Sequence, residues 1–300
     1  MDKCILCPRL CGTDRRGGQL GYCGQGEEMR IARYGLHFFE EPVISGERGS
    51  GTVFFSGCSL RCVFCQNREI SRASSVGEIT DAEGLCGIML ELQERGAHNI
   101  NLVTPTHFTD KIAEALAKVK DKLHIPVVWN SSGYERVEVL RTLDGLVDIY
   151  MPDFKYMSSE LSERYSSAPD YKEIATAAIC EMHRQRGKYI YDVSGMLKSG
   201  VLVRHLVLPG ERKDSIAALR HLAETVQPSE ILLSVMSQYT PEFAADCEYK
   251  NLHRKVTDFE YSSVVDEADR LGFEGFVQGR ASASSVYTPD FKNEGKGEKA

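Results

Sequence analysis

The sequence predicts an α/β fold: a parallel sheet built from strand–helix units, preceded by a small cysteine-rich segment. Strand-like and helix-like segments alternate six times after residue 50, and this alternation is typical of parallel strands joined by right-handed crossovers. Four cysteines lie within the first 23 residues, among Gly and Pro residues that cannot build an apolar core. Pattern alone allows an open doubly wound sheet or a full or partial barrel.

Length and composition agree with one large domain and a small appendage. The chain has 300 residues and 42% are hydrophobic, enough for a barrel-type domain of ~200 to 250 residues. We divide it into a cysteine-rich metal-binding module and entry segment, an α/β domain, and a Gly- and charge-rich tail that we expect to be partly disordered. These divisions cover residues 1–50, 51–280 and 281–300.

Six strands are predicted from short apolar runs rich in β-branched and aromatic residues. In chain order they cover residues 51–57, 99–103, 125–129, 146–154, 201–209 and 230–236. The first strand leads directly into a second cysteine-rich loop. Because the carboxyl ends of parallel strands meet at one edge, the polar residues that follow each strand are the candidates for a functional site.

The helices between these strands are predicted from apolar residues at helical spacing. The segment 79–95 is the clearest, and we expect Thr80 or Asp81 to cap its start and Gly96 its end. The other helical segments are expected at residues 109–122, from about 134, at 158–187 and at 213–226.

The chain carries no sign of export, of a membrane span or of nucleic-acid binding. It has no run of about 18 apolar residues, and its first ten residues lack the apolar core of a signal peptide. A net charge of −7 gives no support for a nucleic-acid partner. We therefore expect a cytoplasmic protein without a membrane or nucleic-acid partner, and in that reducing compartment ten cysteines point to metal or redox chemistry.

The most specific motif is the loop after the first strand, GCSLRCVFCQN, in which Cys58, Cys62 and Cys65 have the spacing C-x3-C-x2-C. Three thiolates in one loop can hold three irons of a cubane 4Fe-4S cluster, and no fourth cysteine follows nearby to cap the last iron. A zinc site is disfavoured because zinc usually takes four N or S ligands from paired C-x2-C spacings. Buried free thiols are the other alternative, and the motif in its context favours the cluster.

This motif resembles that of the radical S-adenosylmethionine (SAM) enzymes. The resemblance implies a partial (βα)6 barrel, an open cluster iron that binds SAM, and a reductant such as flavodoxin or ferredoxin. It also implies reductive cleavage of SAM to a 5′-deoxyadenosyl radical that abstracts hydrogen from a substrate. Together with CPRLCG, GYCG, MPDFKY and MSQYTPEF, the motif is similar to the PflX-type relatives of pyruvate formate-lyase activating enzyme, over about residues 4–278.

The resemblance further implies which residues bind SAM. Asp153 and Lys155 look like the Asp-x-Lys motif of the activating enzymes, which places Lys155 on the SAM carboxylate; a structural ion pair is the alternative. Where many members have Gly-Gly-Glu, this chain has TPTH, so the contact falls to Thr104, Thr106 or His107, and Thr104 is our candidate. Further cofactor-binding candidates are Phe64, Asn130, Ser132 and Gln238.

The N-terminal cysteines form a second candidate metal site with the spacing C-x2-C-x3-C-x11-C. They are Cys4, Cys7, Cys11 and Cys23. Zinc and a second iron–sulfur cluster both fit four thiolates, and the spacing does not decide between them. Free thiols are less favoured, because so short a Gly-rich segment needs a crosslink to fold. The isolated Cys86, Cys180 and Cys247 are expected to be small buried hydrophobic residues.

Three functions fit these motifs. The first is a radical SAM oxidoreductase that acts on a polypeptide, as the activating enzymes do; the second is a radical SAM enzyme acting on a small molecule. The third is a non-catalytic iron–sulfur electron carrier or sensor, which we disfavour because a carrier normally saturates its cluster with four protein ligands. No side chain is assigned a catalytic role.

Overall fold

A computed structural model describes residues 3–278, and its central feature is a ten-stranded sheet. The strands are β1 Met29–His37, β2 Ser50–Phe55, β3 Glu78–Thr80, β4 Ile100–Val103, β5 Val127–Ser131, β6 Ile149–Pro152, β7 Ile190–Tyr191, β8 Leu197–Leu206, β9 Leu232–Met236 and β10 Glu274–Val277. Their order is β10-β9-β8-β6-β5-β4-β2-β1-β3, and β7 pairs with β8.

Seven of the strands in residues 3–278 form a continuous parallel array, from β2 through β4, β5, β6, β8 and β9 to β10. At one end β1 pairs antiparallel with both β2 and β3. Within the described residues β10 and β3 are not paired with each other, so the sheet is not closed. The predicted α/β fold with a parallel sheet is confirmed, and β10 adds a seventh parallel strand that the sequence analysis did not predict.

Nine α-helices are described in residues 3–278. They are α1 Pro42–Ser45, α2 Arg68–Ser71, α3 Ala82–Glu94, α4 Thr109–Val119, α5 Val137–Leu140, α6 Ser159–Ser166, α7 Tyr171–Arg186, α8 Arg212–Thr225 and α9 Asp258–Leu271. The main apolar core lies between the sheet and the long helices, with Trp129 of β5 and Leu116 of α4 among its buried members. No helix in residues 3–278 is long and apolar enough to cross a lipid bilayer.

Two predicted helices differ from the structure. Helix α3 begins at Ala82 and not at residue 79, because Ile79 and Thr80 belong to the edge strand β3. The segment 158–187 is divided into α6 and α7, because Ser167 takes a left-handed conformation with φ +49° that ends α6. Near Tyr134 only the single helical turn α5 follows.

Helix α1 covers part of the sheet face that lies opposite the long helices, here called the inner face. Ile44 of α1 packs in an apolar cluster with Val128, Ile149 and Leu202. Side chains alternate between the two faces of a strand, so Arg204 of β8 lies on the same face as Leu202, two residues further along. A layer of polar side chains therefore follows the apolar layer towards the carboxyl edge.

The segment in front of residue 50 contributes directly to the sheet, because β1 pairs with β2 along most of its length. The proposed boundary at residue 50 stays a prediction. The predicted tail at 281–300 lies outside the described residues, as do the last two residues of the proposed α/β domain.

Candidate functional site

The three-cysteine loop leaves β2 at the carboxyl edge of the parallel strands. Gly57 starts it with φ +84°, and a Cβ there would lie 2.6 Å from the carbonyl oxygen of Cys23, so only glycine fits. The next residue, Cys58, donates its backbone N–H to that same carbonyl at 3.2 Å. Arg61 turns the loop with φ +57°, an uncommon conformation for a residue other than glycine. The loop is therefore shaped against the N-terminal module.

Each thiol of this loop accepts one hydrogen bond. The donors are Leu60 N to Cys58 at 3.4 Å, Ser166 Oγ to Cys62 at 3.0 Å and Ser71 Oγ to Cys65 at 3.5 Å. Hydrogen bonds to ligand sulfurs are one of the features by which a protein tunes an iron–sulfur cluster.

The electrostatics of the loop fit a cationic occupant. Burial raises the pKa of Cys65 to about 12 and also raises that of Cys58, and the charge of Cys62 raises both further. Three buried thiolates are costly together unless a metal compensates their charge. Within residues 3–278 no three His, Cys, Asp or Glu side chains are grouped to hold one metal ion. A cubane offers a separate iron to each thiolate, so the fit rests on this soft three-thiolate donor set.

Asp153 and Lys155 form an ion pair just after β6, with 2.6 Å between Asp153 Oδ2 and Lys155 Nζ. Burial would lower the pKa of Lys155, but the charges of Asp153 and Cys62 outweigh it and hold that pKa above its usual value. Tyr156, the next residue after Lys155, shares a hydrogen bond with Ser166 Oγ at 2.8 Å, and Ser166 Oγ in turn donates to Cys62 Sγ at 3.0 Å, so the ion pair and the cysteine loop lie close together at the carboxyl edge. Both side chains keep some exposure, 13% for Asp153 and 16% for Lys155, so a ligand can reach them.

Tyr171 of α7 organises the backbone around this pair. Its hydroxyl lies 2.8 Å from Ser132 O and 2.9 Å from Asp153 O, and it accepts a hydrogen bond from Lys155 N at 3.0 Å. The ring is fully buried. Sequence reasoning missed this residue, because an apolar-face tyrosine on a helix carries no signal of its contact with a distant loop.

Arg204 of β8 joins two of the predicted residues and was also missed. Its Nη2 donates to Asn130 Oδ1 at 2.7 Å, and its Nε lies 3.5 Å from Asp153 Oδ1. Its third partner is Glu40, with 3.0 Å from Nη1 to Oε2. A charged residue inside the apolar run VLVRHLVLP was the signal that could have identified it.

Of the three candidates after β4, two are committed to internal contacts. Thr106 donates to the buried carboxylate of Glu135 at 2.7 Å, and Nε2 of His107 lies 2.7 Å from Ser56 O, with the ring 1% exposed. Thr104 has φ +59°, which is strained for a β-branched residue. Strained backbone of this kind is common at functional sites. The role of Thr104 in SAM binding stays a prediction.

Of three other cofactor candidates, one lies in the cysteine loop, one contacts it and the third lies in the loop after β5. Phe64 is buried with its ring edge-on to Tyr239, at 6.1 Å between centroids. The backbone carbonyl of Gln238 accepts a hydrogen bond from Gln66 Nε2 at 2.8 Å, and this bond joins the loop after β9 to the end of the cysteine loop. The hydroxyl of Ser132 accepts a hydrogen bond from the backbone N–H of Tyr134 at 3.4 Å. Their contacts with SAM stay predictions.

The four N-terminal cysteines lie near one another. A Cβ on Gly21 would lie 3.4 Å from Cys23 Sγ and 3.5 Å from Cys11 Sγ. Burial raises the pKa of Cys7 to about 12, a backbone hydrogen bond opposes this, and the charges of Cys23, Cys4 and Cys11 raise it further. The four thiols are thus electrostatically coupled, and their metal stays a prediction.

The isolated cysteines only partly follow expectation. Cys86 is buried in the core, whereas Cys247 is partly buried and Cys180 is exposed on α7. The prediction that Cys180 is buried is wrong, because this position of α7 faces away from the sheet.

Comparisons with known proteins agree on the family and the fold. A family model of the radical SAM superfamily matches residues 52–223. An uncharacterized protein of Methanocaldococcus jannaschii is 29% identical over 280 residues, which are 91% of this chain and 76% of that protein. A radical SAM methyltransferase from Sphaerobacter thermophilus is similar with a TM-score of 0.51 and 13% identity, over 76% of this chain and 66% of that one. Methylornithine synthase is similar with a TM-score of 0.50 and 14% identity, over 81% of this chain and 74% of that one. At these identities the structures show similarity of fold alone.

Proposed function

Because the chain belongs to the radical SAM superfamily, we propose that it reductively cleaves SAM and directs hydrogen abstraction from a polypeptide, as the glycyl-radical-enzyme activating enzymes do. Membership implies a 4Fe-4S cluster and SAM as cofactors. When bound, these cofactors supply the electron and the adenosyl group that the chemistry needs. The protein supplies ligands, orientation and exclusion of water.

The observation that carries this proposal is the meeting of the cysteine loop with the ion pair after β6. Cys58, Cys62 and Cys65 would each bind one iron, which leaves the fourth open. The ammonium of Lys155, charged because of Asp153 and Cys62, would hold the SAM carboxylate on the side of that open iron. The two side chains keep 16% and 13% exposure for Lys155 and Asp153, which leaves room for a ligand to contact them.

The open sheet supports a polypeptide substrate. Within residues 3–278 the edge strands do not pair with each other, so no complete ring of strands closes the carboxyl edge, where a polypeptide segment would have to bind. A flavodoxin or ferredoxin is the proposed reductant, and zinc or a second iron–sulfur cluster is the proposed occupant of the N-terminal cysteines.

A small polar molecule is the second candidate substrate. The inner face holds Asn101 Oδ1, a buried acceptor without a hydrogen-bond partner among residues 3–278. Such an atom is rare and calls for a water or a ligand. Because an amide oxygen can only accept a hydrogen bond, it favours a substrate that carries an N–H or O–H group.

The test uses anaerobically reconstituted protein, reduced with dithionite and given SAM. Wild-type protein is expected to contain the 4Fe-4S cluster and to form 5′-deoxyadenosine. Cys62→Ala removes one iron ligand and should abolish both, whereas Cys180→Ala changes an exposed thiol on α7 and should leave both intact.

Two outcomes would contradict the proposal. Wild-type rates of deoxyadenosine formation by Cys62→Ala would exclude the cluster assignment. An intact cluster in the wild type that never cleaves SAM would instead favour the carrier or sensor.

A further inference from the structure

We propose that Glu40 is a positioning residue that, through Arg204, sets the geometry of the SAM site. Glu40 lies in the segment between β1 and α1, outside the residues that match the family model. The inference rests on the function proposed above, because it assigns Asp153 and Asn130 to SAM binding. It adds a residue from the N-terminal segment to a site otherwise built by the parallel strands.

Both carboxylate oxygens of Glu40 are engaged by side chains of the sheet. Oε2 lies 3.0 Å from Nη1 of Arg204 on β8. Oε1 accepts from Asn101 Nδ2 on β4 at 3.0 Å and lies 3.5 Å from Asn130 Nδ2 on β5. One carboxylate therefore joins three strands across the inner face.

Arg204 transmits this anchor to the predicted SAM residues. Asp153 stands directly opposite it in a parallel bridge, and Phe154 N donates to Arg204 O at 2.8 Å, so the two side chains share a face. The carboxylate of Asp153 is held between Arg204 and Lys155. Arg204 also fixes the orientation of the Asn130 amide through the bond to its oxygen.

Four charged groups of alternating sign thus form one line: Glu40, Arg204, Asp153 and Lys155. Their side chains are 10%, 15%, 13% and 16% exposed. At this burial charge-assisted contacts are strong and direction-dependent. Without the charge of Glu40, Arg204 would draw Asp153 more strongly, and Asp153 would move away from Lys155.

The backbone that carries Glu40 is itself fixed. Glu40 N donates to Ser45 Oγ at 3.0 Å, and Ile44 of the same helical turn is fully buried against the inner face. The carboxylate is therefore presented by a rigid segment, as a residue that positions others must be.

The test compares Glu40→Gln with Glu47→Gln, an exposed glutamate seven positions further along the chain, between α1 and β2. Both remove one charge and keep the side-chain shape. For reconstituted protein we expect Glu40→Gln to weaken SAM binding by about 10- to 100-fold, the range usual for residues that orient ligands of a metal site. The electron paramagnetic resonance signal of the reduced cluster should also respond less to added SAM. Iron content should stay at the wild-type value, the thermal midpoint should fall because a largely buried ion pair loses one charge, and Glu47→Gln should match the wild type throughout.

Unchanged SAM affinity in Glu40→Gln would overturn the inference. If that variant loses iron or folds poorly, Glu40→Asp and Arg204→Lys provide a graded series, in which SAM affinity should fall while iron content is retained; constant affinity across the series also overturns it. Lys155→Ala distinguishes a failure of the proposed function from a failure of the role assigned to Glu40. If it weakens SAM binding while Glu40→Gln does not, the proposed function stands and this inference fails. If the wild type with an intact cluster neither binds nor cleaves SAM, the proposed function fails first.

Discussion

His107 and His205 are both about as buried as the core, at 1% exposure each, and both use one ring nitrogen to contact a backbone carbonyl. Burial lowers the pKa of each ring to about 4. The unfolded chain, with a histidine pKa near 6.5, therefore binds more protons than the folded protein between about pH 4 and 6.5. The stability that the two neutral histidines contribute is fully present above that window and is lost as the pH falls through it.

Replacing His107 by Gln should flatten this dependence. Between pH 7 and pH 5.5 the histidine accounts for about 1 kcal/mol of the wild-type loss in the free energy of unfolding, and Gln has no proton to take up. Denaturant unfolding at the two pH values measures it, with the wild type as the reference for every other titrating group. An equal loss in both proteins would show that His107 titrates normally when folded.

The residues of the site differ in how far the sequence could reveal them. Cys58, Cys62 and Cys65 are adjacent in the chain, so their spacing carries the chemistry. Arg204 and Glu40 are 164 positions apart in the sequence, and neither lies in a recognised motif. Thr106 and His107 looked equivalent to Thr104 in the sequence, and only the packing of the strand ends turned them inward.

Helix α3 illustrates how an element's start is fixed by one side chain. Asp81 is its N-cap: the carboxylate accepts a hydrogen bond from Gly84 N at 2.9 Å, which satisfies one of the amides that the first turn leaves free. Of the two predicted caps, Thr80 and Asp81, the structure therefore selects the second. Thr80 belongs to β3, where it pairs with Met29 of β1.

Asp81→Ala should lower the free energy of unfolding by about 1 kcal/mol, because the amide loses its partner. Asp81→Asn is the matched control, since Asn caps about as well as Asp. Urea denaturation of the two variants measures the difference. Equal stability of the Ala and Asn variants would mean that this bond contributes nothing to α3.

The parallel strands were predictable, and the edge strands were not. Buried along their whole length, β2, β4, β5 and β9 are rich in apolar and β-branched residues and therefore stand out in the sequence. By contrast β1 and β3 alternate or are exposed, and Ile79 on β3 is 50% exposed. Its apolar side chain fits a helix pattern as well as a strand pattern, and only the pairing with β1 decides between them.

The whole molecule joins two cysteine-rich parts through arginine–carbonyl contacts. Arg9 of the N-terminal module donates to Ser59 O at 2.7 Å and to Ser166 O at 2.8 Å, so it bridges the cysteine loop and the end of α6. Arg15 donates to His107 O at 2.7 Å after β4. The module is therefore seated on the carboxyl edge of the sheet, next to the site.

The module has little apolar surface with which to fold by itself. Its aliphatic residues Ile5, Leu10 and Leu20 are each 55% or 56% exposed, whereas Cys7 and Cys23 are buried. Burial of so few apolar groups does not offset the conformational entropy of this segment. A metal held by the four thiolates would supply the missing stabilisation, since metal binding to such segments is also folding free energy.

Cys7→Ala should therefore remove the N-terminal metal and loosen the module while the sheet keeps its structure. If the metal is zinc, zinc should disappear and about four irons per chain should remain; if it is a second cluster, iron should fall from about eight to about four. Hydrogen exchange should accelerate in residues 3–28 and stay slow in β4 and β5, and Cys180→Ala should change neither quantity. Unaltered metal content together with unaltered exchange would identify the four cysteines as free thiols and leave the arginine contacts as what holds the module in place.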